Sequence, residues 1–187
     1  MAKTYRTAAV LIPSGDVWPP IQAVRAERDR HYRRWMPHIT LLYPFRPRED
    51  WDTLRAPLST ACAGVEPFEI TLSAFDRFRH GRSTTVWLAP EPAAQLVALQ
   101  TALWRVVPDC DDTRKQSGGF TPHLSVGQVP GAGADALLEA LQARWEAVSF
   151  TASAVQLIWR ADPPDDIFHV GEQLSLGREP DSGERHD

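Results

Sequence analysis

Cysteine is scarce. The 187-residue chain has only Cys62 and Cys110, which do not suggest a disulfide framework. Excess basic charge is absent as well, because 20 Lys and Arg against 24 Asp and Glu leave a net charge of −4. That argues against a protein that coats nucleic acid with a basic surface, although a local basic cleft is compatible with it. No apolar run approaches membrane-spanning length, and the start, Met1 to Thr7, lacks the uninterrupted apolar core of a signal peptide. These absences set the expectation of a cytosolic enzyme or binding protein with no membrane association; a monomer is expected as well. What remains is ordinary for a soluble globular chain, with 43% hydrophobic and 24% charged residues. Seven tryptophans and sixteen prolines are high counts, and the prolines punctuate the elements.

One stretch occurs twice. Residues 35–41 read Trp-Met-Pro-His-Ile-Thr-Leu, and residues 120–126 read Phe-Thr-Pro-His-Leu-Ser-Val. Aromatic, proline, histidine, aliphatic, hydroxyl and aliphatic positions recur in the same order, nearly half a chain apart, as expected for a half-molecule unit used twice.

In chain order, the apolar run 7–12 predicts a buried strand. Pro19 and Pro20 suit the first turn of a helix reaching about Arg30. The cluster Arg25, Arg28, Arg30, Arg33 and Arg34 reads as a solvated helix face and the loop after it. A strand over 37–43 and a helix over 48–63 follow, the helix with Asp50 as its cap. Residues 68–89 read as a long hairpin turning at Gly81 with a basic tip. Helices over 92–107 and 135–145 flank a polar loop over 109–119 and the second motif strand over 123–129. Two final strands, 149–159 and 167–176, are joined by the turn-rich stretch 162–166. The predicted architecture is α+β and bilobal, with two pseudo-symmetric lobes of antiparallel sheet, helices on the outer face and a central cleft carrying both motifs. Residues 1–177 form one bilobal domain on this reading, and 178–187 a polar, disordered tail.

On a strand, residues i and i+2 share a face. His38 therefore projects with Thr40, and His123 with Ser125, while Ile39, Leu41, Leu124 and Val126 face a core. Imidazoles titrate near neutrality, so one can accept a proton while the other donates one. The two hydroxyls can donate to non-bridging phosphate oxygens, where charge grows in the transition state. This chemistry handles a phosphodiester without a metal, and two histidines with no suitably spaced cysteine make only half a zinc site. Phe78, amid Arg77, Arg79, His80 and Arg82, offers a stacking ring for an RNA end, or an ordinary solvated hairpin tip. Arg160 could reach the cleft from a neighbouring strand. His31, His169 and His186 lack the motif context and read as structural or exposed. Trp51, Trp87, Trp104 and Trp145 fit core faces.

The paired Pro-His-x-Thr/Ser motifs resemble those of the 2H phosphoesterase superfamily, the group that includes 2′–5′ RNA ligase-like proteins and cyclic nucleotide phosphodiesterases. The resemblance implies metal-independent, cofactor-free hydrolysis of 2′,3′-cyclic phosphate ends of RNA or small nucleotides, with reversible 2′–5′ ligation as a related reaction. It implies His38 and His123 as the acid–base pair, with Thr40 and Ser125 as phosphate ligands. Tyr43 and Gln128, each five residues after a histidine, take positions where the family often places a substrate-facing side chain. Strict strand alternation would point both away from the site, so a bulge or a strand end is required. The alternative is a binding module that recognises nucleotides or RNA ends in the same groove without turnover.

Overall fold

The structure, a computed structural model, describes residues 2–115 and 119–178. Residues 116–118 of the expected polar loop, the expected tail after 178 and His186 lie outside the described residues.

Eight strands and four α-helices are formed among the described residues: β1 (Thr7–Leu11), α1 (Trp18–Arg28), β2 (Ile39–Leu42), α2 (Trp51–Ala63), β3 (Phe68–His80), β4 (Ser83–Glu91), α3 (Ala93–Val106), β5 (Leu124–Pro130), α4 (Ala134–Gln142), β6 (Val148–Ala152), β7 (Ala154–Trp159) and β8 (His169–Ser175). They build two four-stranded sheets, ordered β2-β1-β7-β8 and β5-β4-β3-β6. Every pairing in both is antiparallel. The predicted α+β, two-lobed architecture is what forms. Each motif lies on the edge strand of its sheet, β2 in one and β5 in the other.

Local chemistry explains most of the elements. Pro19 and Pro20 occupy the first turn of α1, where a missing N–H leaves nothing unpaired. Leu96, Leu99 and Leu103 bury one stripe of α3, and Trp51, Leu54, Leu58 and Cys62 one stripe of α2. Asp50 stands at the N-cap of α2, although its side chain makes no capping hydrogen bond. The β3–β4 hairpin turns at Gly81, whose φ of 58° suits a residue without a Cβ.

Two expectations are corrected. The strand expected over 149–159 is two strands: β6 pairs with β3 in one sheet, and β7 pairs with β1 in the other. The alternation runs through Ser153 without a Gly or Pro, so nothing local marks the change of sheet. The Arg cluster is not uniformly solvated either. Arg25 is 1% exposed, paired with Asp29, which is also buried, and donating to the Trp35 carbonyl at 2.8 Å.

The helices cross between lobes. Helix α1 follows β1 in the first sheet but packs on β5 of the second, and α3 follows β4 in the second but packs on β2 of the first. Leu11, Leu41 and Leu157 consequently share one continuous core with Ile70, Leu88 and Val126. A smaller cluster, Ala8, Val10, Ile158 and Phe168 with Trp35 and Tyr43 against it, covers the other face of the first sheet.

Candidate active site

Both motif strands carry the same irregularity. In the first sheet Thr40 pairs with Val10 and Leu42 with Ala9, which leaves Leu41 as an extra residue. In the second, Ser125 pairs with Trp87 and Gly127 with Val86, which leaves Val126 extra. An extra residue resets the alternation by one position. Leu41 and Leu42 are accordingly both buried, as are Val126 and Gly127, while Tyr43 and Gln128 return to the face of Thr40 and Ser125. The Leu41 carbonyl accepts from the Thr113 hydroxyl at 3.1 Å. Thr113 is held in turn by the buried Gln100 of α3.

Thr40, Tyr43, Phe78, His123, Ser125 and Gln128 line one groove of about 730 Å³. His38 is not among the lining side chains. Its ring is stacked on Trp35, with centroids 4.6 Å apart and planes 17° apart, and Trp35 lies 3.8 Å from Phe168. Arg160 stays off the lining too, its guanidinium 5.7 Å over the Phe168 ring. His31, expected to be structural or exposed, does line the groove beside Arg30. Arg77 and Arg79, on either side of Phe78 on β3, also line the groove, and both pair with Asp135 on α4. Trp87 fits the expected buried face, 6% exposed, but it also contacts the site. It stacks under Phe78 at 4.9 Å and meets His123 at 5.9 Å.

The two imidazoles are held alike. His38 Nδ1 donates to the Met36 carbonyl at 2.7 Å, and His123 Nδ1 to the Thr121 carbonyl at 2.9 Å. A carbonyl can only accept, so each ring keeps its proton on Nδ1 when neutral and leaves Nε2 as the exchanging atom. Their surroundings differ. Burial beneath Trp35, together with the Arg25 charge and the nearness of His123, drives His38 down to about 4. His123 also lies below the ordinary imidazole value because of burial, against which its Thr121 hydrogen bond works. Its neighbour Phe78 meets the ring edge-on at 4.9 Å rather than covering it face to face.

Periodicity could not reveal Trp35 as a partner of His38, nor Arg30 and His31 as groove residues, because all three lie in the irregular segment between α1 and β2. The only signal there was an arginine-rich cluster. Among the described residues no group of three His, Cys, Asp or Glu side chains is placed to hold a metal ion.

Known proteins share both the sequence pattern and the fold. A "Putative phosphoesterase" of Geobacillus thermodenitrificans is 30% identical over 125 residues, 66% of this chain and 69% of that protein. Escherichia coli LigT complexed with 3′-AMP superposes with a TM-score of 0.65 at 15% identity, over 93% of this chain and 99% of that one. TT0787 of Thermus thermophilus gives 0.62 at 17% identity, over 93% and 100% of the two chains. At such identities the solved structures speak for the fold alone. The sequence itself matches the family model of the 2′-5′ RNA ligase superfamily over residues 13–164, and the chain belongs to that superfamily, the 2H phosphoesterases.

Proposed function

We propose that the chain hydrolyses 2′,3′-cyclic phosphates on RNA ends or small nucleotides by acid–base catalysis between His38 and His123. The observation that carries this reading is the matching Nδ1 hydrogen bond of the two motif histidines, which leaves Nε2 of each ring without a hydrogen-bond partner among the described residues. His38, kept neutral by burial, is the general base and draws a proton from the attacking water. His123 is the general acid and protonates the ribose oxygen as its bond to phosphorus breaks. Thr40 and Ser125 donate to the non-bridging oxygens, where negative charge accumulates. Run in reverse, with a ribose hydroxyl in place of water, the same groups seal a 2′–5′ linkage. The 3′-AMP bound by LigT is a nucleoside monophosphate, a size that suits a groove of about 730 Å³. The buried, unpaired thiols of Cys62 and Cys110 suit a reducing, cytosolic setting.

The test is turnover of nucleoside 2′,3′-cyclic phosphates by chelator-treated protein. His38→Ala and His123→Ala should each lower kcat by about 10²–10⁴-fold with the circular dichroism spectrum unchanged. Tight binding of cyclic and 2′–5′ linked ligands with no product from any of them would instead establish a binding module.

A further inference from the structure

The groove wall has two unlike parts. Tyr5 and Tyr43 make one of them, edge to face at 5.6 Å, with the Tyr43 hydroxyl donating to the Tyr5 carbonyl at 3.1 Å. The other gathers Arg30 and His31, from the segment after α1, with His80, Thr85 and Gln128 from the second sheet. Thr85 is the cross-strand partner of both Phe78 and Gln128, so these side chains share the face that carries Ser125.

Gln128 is fixed there. Its Oε1 accepts from the Arg30 backbone N–H at 3.3 Å, which leaves the amide NH₂ without a partner among the described residues. Arg30 donates from Nε to His31 Nε2 at 3.2 Å and has no carboxylate partner among the described residues. Arg77 and Arg79, by contrast, share the carboxylate of Asp135. The Arg30–Gln128 hydrogen bond and the Thr85–Gln128 strand pairing thus bring residues bearing an uncompensated guanidinium, an amide NH₂ and a hydroxyl to one corner. All are hydrogen-bond donors, a set that matches a phosphate better than a base edge. By strand rise, Gln128 lies roughly 7–10 Å beyond Ser125, a gap that a ribose with its 5′ oxygen can bridge.

We infer that this corner binds a second phosphate, the one carried on the 5′ oxygen of the nucleotide whose cyclic phosphate is cleaved between the histidines. In a nucleoside 2′,3′-cyclic phosphate the 5′ position is the only ribose oxygen left to carry one. The inference rests on the phosphoesterase reading for the orientation of the substrate, and it makes the preferred substrate a 5′-phosphorylated or chain-linked nucleotide rather than a bare nucleoside cyclic phosphate.

Two measurements test it. Steady-state kinetics compare adenosine 2′,3′-cyclic phosphate with its 5′-phosphorylated form and with a dinucleotide ending in the same cyclic phosphate. Calorimetry compares 3′-AMP with adenosine 3′,5′-bisphosphate, which needs no turnover. The 5′ phosphate should improve kcat/KM about tenfold, through KM, and Kd by a similar factor, the effect of one charge-assisted contact. Arg30→Ala should bring both ratios close to one. Arg33→Ala, at an exposed position of the same segment, should leave them intact. A gain with the dinucleotide as well assigns the corner to an RNA chain, and a gain with the 5′-monoester alone assigns it to mononucleotides. Equal constants with and without the 5′ phosphate in the unmodified protein, or loss of the ratio in Arg33→Ala as much as in Arg30→Ala, would overturn the subsite. No turnover of any substrate with the Arg30-dependent Kd ratio intact would remove the phosphoesterase reading and leave the subsite standing.

Discussion

His38 and His123 sit in matching motifs and make matching hydrogen bonds, yet only His38 has an aromatic ring stacked against its face. Burial is the main cause of the low His38 value of about 4. A base is useful only while neutral, so the acid limb of kcat/KM against pH should fall near 4. The alkaline limb, where His123 gives up the proton it must donate, should lie below the ordinary imidazole value of about 6.5. Trp35→Ala admits water to the His38 ring, raises its pKa and should move the acid limb upward. An acid limb that stays in place in Trp35→Ala would show that the stack does not tune the base. Sequence alone singled out Thr40, His123 and Ser125, which line the groove, and His38, which does not. It could not show that Trp35 stacks on His38 and is backed by Phe168, because Phe168 is distant in sequence.

At the scale of elements, the segment between α1 and β2 depends on a buried ion pair. Arg25 donates to Asp29 at 2.9 Å and to the Trp35 carbonyl, while the other Asp29 oxygen accepts from the His31 backbone N–H. Removing one partner strands the other charge, so Arg25→Met should destabilise the fold by about 3–5 kcal/mol in urea titrations. The double variant Arg25→Met with Asp29→Leu should recover part of that loss, and strict additivity would argue against direct coupling. Gly127 has a different reason for its identity. A Cβ there would stand 2.6 Å from Arg28 Cβ and 3.0 Å from the Arg28 carbonyl oxygen, so glycine is what lets α1 lie on β5. Gly127→Ala should cost about 1–3 kcal/mol through overpacking, read as a lowered Tm. The need for a bulge was legible from the positions of Tyr43 and Gln128. Its location at Leu41 and Val126 was not, because a bulge is defined by the neighbouring strand.

At the scale of the whole molecule, the lobes are interlocked. The crossing of α1 and α3, and the passage of the chain from β6 into β7 through Ser153, give both sheets one core. Unfolding should therefore be a single cooperative transition, with tryptophan fluorescence and far-ultraviolet circular dichroism coincident in urea. Two separated transitions would mean that the lobes fold independently.

The doubled motif, the α+β class and the order of most elements followed from sequence, since periodicity, prolines and turn residues act over a few neighbouring positions. The exchange of helices between lobes, the switch of sheet at Ser153, the burial of Arg25 and the arrival of Arg30 and His31 in the groove were decided by tertiary structure. Each depends on which distant surface an element covers. Short-range pattern records that an element has an apolar face, or that a loop is rich in arginine, but not what either will meet.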